Sequence, residues 1–319
     1  MNNVTSMNNV TSMNNVTSKY VYCDILGTNI TPPETFYWCL FSSLLLQSVL
    51  TIIFNFMYLA VMFKCVATRT ISECLYIMLS VSDVLAAVIG TPAWMLTIYQ
   101  SIEFYMDCNV ALYINFTGYS LVLISVSTIL LITIEMYLAV MHPFYYEGTS
   151  LKKKFMVALA LLWISCIAFS VISSVIFRTF WDMFQKLAGL IFLLVILLLF
   201  FAHHKVYREV KRICSRIVET DRDGKRMIQM KSRSVKLSLS ISLTLTICFT
   251  PMVYYSFHVM LLGKTISTQS VMLPVFQFIA LLNGLFNPFV YYFRLTKIRR
   301  KVRGMLSCVA CRTEPSTVS

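Results

Sequence analysis

Few side chains in this sequence could do chemistry, and each points to a particular kind. Asp83 stands alone among apolar residues in the run Leu75–Ile102. An ionisable group at the centre of a membrane costs about 2.5–3.5 kcal/mol on insertion scales, so it needs a partner and a role. The choices are a structural Asp, protonated or hydrogen-bonded, and a cation site. His203 and His204 suggest a metal, but adjacent residues on a helix point to different faces, and the pair reads as interfacial. Asn3, Asn9 and Asn15 each open an Asn-Val-Thr in a threefold tandem MNNVTS, and Asn29 opens Asn-Ile-Thr; all four are glycosylation acceptors. Asn115 opens a similar triplet inside an apolar run, where it stays unmodified. No Cys/His metal spacing, phosphate loop or pair of buried carboxylates is visible, so the chain does not read as an enzyme.

These residues hang on long apolar elements. The 319 residues are 58% hydrophobic and only 13% charged, with a mean hydropathy of +0.73. Soluble domains carry about 25% charged residues, so neither a soluble globule nor intrinsic disorder fits. Crossing roughly 30 Å of hydrocarbon takes about 20 apolar residues in a helix that satisfies its own backbone. Seven such runs can be drawn: Phe36–Phe63, Leu75–Ile102, Asn109–Ile134, Phe155–Phe177, Leu187–Ala202, Leu237–Leu262 and Thr265–Phe293. Asp83 is the only carboxylate within them. The fifth is short, but its helix can continue through His203 and Lys205, whose polar ends can snorkel.

Charge sets the orientation. With Met1 outside, 23 of the 27 Lys and Arg fall in inner segments and 4 in outer ones, as the excess of basic residues in cytoplasmic loops requires. The net charge of +13 therefore reports orientation and contact with anionic lipid, and no nucleic-acid partner is expected. The chain divides into an outer, glycosylated, disordered arm (1–35), a seven-span domain (36–293) and an inner segment (294–319). The basic loop between the fifth and sixth spans extends both helices, with Asp221-Arg222-Asp223-Gly224 as the turn.

Local motifs separate a receptor from a pump or transporter. The second span reads LSVSDVLAA, the third ends ITIEMYLAVMHPFYY, the fourth holds Trp163, the sixth holds CFTP and the seventh NGLFNPFVYYF. With Asn55 in the first span, this series resembles the rhodopsin-like (class A) G-protein-coupled receptors from roughly Phe36 to Cys311. The resemblance implies an all-α, seven-transmembrane helix bundle in the plasma membrane, N-terminus outside and C-terminus inside. It implies a short amphipathic eighth helix, Arg294–Leu306, carrying palmitoylation sites at Cys308 and Cys311. Asp83, Ser125, Asn283 and Asn287 match the family's sodium pocket. Pro251 and Pro288 each remove a backbone hydrogen bond, and in the family these kinks are hinges that open a cavity for a heterotrimeric G protein. Phe249 stands where most members carry Trp, and Tyr291 matches the residue that swings inward on activation. Thr313 to Ser319 could be phosphorylated for arrestin.

The chain departs from the family pattern in three places. Glu135-Met136-Tyr137 replaces Asp/Glu-Arg-Tyr, and Met136 has neither charge nor donor. Glu135 is left protonated or solvent-facing, and three outcomes stay open: weak coupling, high basal activity, or a non-signalling partner or scavenger. The family's outer disulfide cannot form in its usual way, because the segment RTFWDMFQK has no Cys; Cys23–Cys108 is the favoured pairing, with Cys39 a further outer candidate. The short outer loop and a fifth span without Pro resemble melanocortin, cannabinoid and lysophospholipid receptors. Among pocket positions, Gly118 replaces the Asp of amine receptors, which disfavours a monoamine, and Leu281 replaces the retinal Lys, which excludes retinal. Ser256 stands where adenosine receptors, which the chain also weakly resembles, read adenine with Asn. Tyr119, Tyr254, Tyr255 and Phe257 suggest an apolar, lipid-like or peptide ligand. A seven-helix transporter or channel is the remaining alternative, though no paired repeats or multiple buried charges point to one.

Overall fold

The structure, a computed structural model, describes residues 33–65, 70–102, 108–148, 150–176, 181–216, 222–262 and 271–294. The described residues form helices: α1 (Glu34–Cys65), α2 (Ile71–Leu85), a π-helical turn (Ala86–Gly90), α3 (Thr91–Ile102), α4 (Cys108–Met141), α5 (Pro143–Gly148), α6 (Leu151–Ile176), α7 (Trp181–Arg216), α8 (Arg222–Leu262) and α9 (Leu273–Arg294). Seven helical segments are long and apolar enough to cross a membrane, α2, the π-turn and α3 acting as one. The seven-helix expectation and its order therefore stand. The arm, the eighth helix, Cys308, Cys311 and the four glycosylation acceptors lie outside the described residues. So does Cys23, and with it the proposed disulfide; Cys108 begins α4.

Sequence chemistry explains several helix ends and the irregularity in the second span. Thr70 caps α2 with a reciprocal box: its Oγ1 accepts from the Glu73 amide at 3.2 Å, and Glu73 Oε2 accepts from the Thr70 amide at 3.0 Å. Pro143 opens α5, where its missing N–H costs nothing. The π-turn widens the ladder, and Thr91 Oγ1 donates to Ala86 O across it at 3.3 Å. Hydroxyls inside the apolar helices return to their own backbone, as Thr51, Thr128 and Thr133 do four residues back. Large apolar side chains such as Ile247, Phe200 and Ile164 face outward, as a lipid-facing surface requires and a water-facing one does not tolerate.

Packing runs α1 against α2, α3 and α9, α4 through the centre, and α8 against both α7 and α9. The main core gathers Tyr58, Leu75, Leu79, Ile129, Ile132, Ile241 and Tyr291. Trp163 anchors α6 to α4 by donating Nε1–H to Thr128 Oγ1 at 3.1 Å. Two expectations need correction. The third span reaches Met141, so Glu135 also lies inside a span-length helix; its carboxylate is tolerated because hydroxyls from other helices meet it. The helix of the sixth span already starts at Arg222, so Arg222, Asp223 and Gly224 are helical rather than a turn; backbone hydrogen bonding overrides the local turn preference.

Candidate functional site

The centre of the bundle is polar. Asp83, on α2, is 2% exposed, and Asn287 Nδ2 donates to its Oδ2 at 2.9 Å. No other donor reaches the carboxylate among the described residues. Asn55 Nδ2 donates to Thr51 O at 2.9 Å and across to Gly284 O at 3.1 Å, tying α1 to α9. The backbone of α9 at Gly284 lies directly on Asp83: a Cβ there would sit 3.3 Å from both its Cγ and its Oδ1. Ser82 and Ser125 pair hydroxyls at 3.3 Å, linking α2 to α4. Asn283 Oδ1 and Asn287 Oδ1 are buried with no hydrogen-bond partner. A buried acceptor without a donor costs about 1–3 kcal/mol, so these two oxygens mark where something else could donate.

A narrow cleft of about 50 Å³ opens on this centre. Asp83, Ser125, Asn283 and Gly284 line its inner end; Gln47, Gly90, Thr91, Trp94 and Gly118 line the rest. A second cavity of about 100 Å³ lies against α7 and α8, lined by Gly189, Phe192, Met252, Tyr255, Ser256 and Gln277. The two share Trp94, Gly118, Val122, Phe249, Ala280 and Leu281 as walls. Phe249 is 5% exposed and stacks on Phe192 with ring centroids 5.2 Å apart. Two glycines make the space: a Cβ on Gly189 would collide with Ser256 Cβ at 2.2 Å, and one on Gly118 would press on Trp94 Nε1 at 3.3 Å.

The structure brings together three of the four expected sodium-pocket residues on one cleft, and Asn287 joins through its bond to Asp83. The expected ligand pocket is only partly assembled. Gly118 and Tyr255 line cavities, while Tyr254 is 54% exposed, beside His258 and Phe276, and Phe257 lines neither cavity. Helical phase explains this, because 254, 255 and 257 cannot share one face. Tyr119 belongs to α4, but its side chain is outside the described residues. Gln47, Trp94 and Gln277, absent from the expected set, line the cavities; only three-dimensional neighbours pick them out from other polar residues in apolar runs.

Pro251 and Pro288 sit inside continuous helices. Tyr291 is fully buried against Tyr58 and Tyr76, with ring centroids at 4.6 and 5.5 Å. Glu135 is 2% exposed and neither solvent-facing nor unpartnered. Ser72 Oγ donates to its Oε1 at 2.8 Å and Tyr146 Oη at 2.5 Å. Burial and the adjacent Glu135 carboxylate push the Tyr146 phenol well above its usual value. Met136, also 2% exposed, packs with Val140, Val206 and Val235, and Tyr137 leans on the same cluster. His203 is buried instead of snorkelling. Its Nδ1 lies 2.8 Å from Leu199 O, and its Nε2 lies 3.4 and 3.5 Å from the hydroxyls of Ser238 and Ser242 on α8. His204 is exposed. On α5, Phe144 is 93% exposed.

Residues 54–186 match the model of a family described as 7 transmembrane receptor (rhodopsin family). The match takes in Asp83, Trp163 and Glu135-Met136-Tyr137; Pro251 and the Asn-Pro-x-x-Tyr segment fall beyond it. It supports the rhodopsin-like resemblance and a multi-pass membrane protein of receptor type. No curated protein matches the chain.

Proposed function

We propose that the chain is a plasma-membrane receptor of the rhodopsin-like class, its N-terminus outside and its C-terminus in the cytosol. An extracellular ligand binds in the cavity between α3, α4, α7, α8 and α9 and changes how the inner face receives a heterotrimeric G protein. One observation carries this reading: the ligand cavity and the Asp83 cleft share Phe249, which lies two residues before the helix-breaking Pro251 on α8. Occupancy above is thereby felt at the hinge below. The cavity walls carry no charged side chain, which favours an apolar or lipid-like body, or the apolar side chain of a peptide, in line with a melanocortin-, cannabinoid- or lysophospholipid-like ligand. Asp83, Ser125, Asn283 and Asn287 are oxygen donors suited to a sodium ion that holds the resting state. Exposed Phe144 beside the Glu135 clamp offers the inner partner an aromatic anchor. The test is GTP exchange on a G-protein panel by the full chain in liposomes, scanned against a ligand library. Ligand-dependent exchange is expected; silence with every G protein would overturn the reading.

A second reading has its own observation. Met136 is locked in an apolar cluster where the family places a charged, donor-rich residue. On this reading signalling is impaired or constitutive, and exchange without ligand is either absent or already maximal.

A further inference from the structure

We infer that the cleft between α1, α2, α4 and α9 is a ligand subsite in its own right, built for the ammonium head of a slender amine whose apolar body lies in the outer cavity. The inference rests on the receptor reading and names the ligand class for it. The inner end of the cleft presents Asp83 with a single protein donor, the hydroxyl of Ser125, and Asn283 Oδ1 with no partner. An ammonium carries three donors and no acceptor, so it complements a carboxylate, a hydroxyl and an amide oxygen. A buried charge pair holds only when its remaining hydrogen bonds are also made, and these acceptors can make them.

Shape and reach separate such a ligand from a bare ion. Gln47 is 4% exposed, lines the same cleft, and its Oε1 has no partner, while its Nε2 is spent on Leu281 O at 2.8 Å. It stands eight residues outward of Asn55, about 12 Å along α1 at 1.5 Å per residue, and Asn55 shares the Asp83 layer through Gly284. One ion cannot serve both ends; an elongated molecule with a second N–H or O–H can. The walls between are small (Ala87, Gly90, Gly118, Gly284), which suits an unbranched chain, and the neck at Gly118 leads into the outer cavity. The absence of Asp at 118 therefore does not exclude an amine: it lets the nitrogen pass inward to Asp83.

The test uses the purified full chain in lipid nanodiscs, with hexylamine as probe and thermal unfolding as readout, ionic strength held constant with choline chloride. Hexylamine at a hundredfold excess over its Kd is expected to raise the melting temperature by about 5–10 °C. Hexanol, of like shape without charge, and hexyltrimethylammonium, charged without N–H donors, are expected to leave it unchanged. Asp83→Asn and Gly118→Val should each abolish the hexylamine shift. No shift with hexylamine, an equal shift with hexanol or hexyltrimethylammonium, or a shift that survives Asp83→Asn would overturn the subsite. The two ligand controls need no variant, so a misfolded mutant leaves the test standing. If the shift is seen but no G protein exchanges GTP, the receptor reading fails and the subsite remains.

Discussion

Among the described residues, two carboxylates are buried to the same depth and treated differently. Asp83 and Glu135 are each 2% exposed. Glu135 is capped by hydroxyls from two other helices, Ser72 on α2 and Tyr146 on α5, and no cavity among those described opens on it. Asp83 receives one amide donor and fronts a cleft bordered by unpartnered oxygens. A carboxylate whose hydrogen bonds are filled by the fold acts as a fastener; one left short of donors beside an open space is a receptor for something else. The same contrast accounts for Met136. Its neighbour Glu135 has turned to hydroxyls, and Met136 itself joins a buried cluster of valines.

The comparison can be broken most forcefully at Met136. Met136→Arg places an unpaired charge among Val140, Val206 and Val235 and is expected to destabilise the protein by about 3–5 kcal/mol, whereas Met136→Leu should cost under about 1.5 kcal/mol. Thermal unfolding of the purified variants reads both; an Arg variant as stable as wild type would mean that this end is already open to water. Next, Tyr146→Phe leaves Glu135 a donor short and should cost about 1–3 kcal/mol. Combining it with Glu135→Gln should recover part of that loss, and strict additivity would show that the two do not interact.

At the other carboxylate the expected effect on the fold is smaller and the effect on ligands larger. Asp83→Asn keeps the size and removes the charge, so stability should change by less than about 1 kcal/mol while any sodium dependence of melting temperature disappears. Sodium dependence that persists in the variant would place the ion elsewhere. The smallest effect is on pH. Burial and Glu135 raise the Tyr146 phenol above its ordinary 10.0, so its contribution is fully present below that value and is lost as pH rises through the folded-state value. Above pH 10 the wild type should lose stability more steeply than Tyr146→Phe, and parallel curves would remove Tyr146 from the clamp.

How legible all this was depends on the range of the interactions. Seven spans, their order and the importance of Asp83 follow from run length and from a lone charge in hydrocarbon, both local properties of the chain. The Asp83–Asn287 bond followed the family pattern across 204 positions. What stayed hidden was decided by packing between distant helices. Tyr146 and Ser72 are ordinary residues until Glu135 is placed between them. His203 reads as interfacial from its place beside His204 at the end of a short apolar run, but Ser238 and Ser242 on α8 give it buried partners. Tyr254 and Phe257 seemed to belong with Tyr255 by proximity in sequence, and helical phase sends them elsewhere.

Gly284 carries a last consequence. Because Gly284 puts no side chain between α9 and the Asp83 carboxylate, and Asn287 of the same helix bonds to it, helix and charge lie close together. A side chain at 284 would press on that carboxylate or stretch the Asn287 bond. The hydrogen atom that stands for a side chain at 284 is therefore what allows the seventh span to sit near enough for its own amide to reach the buried charge.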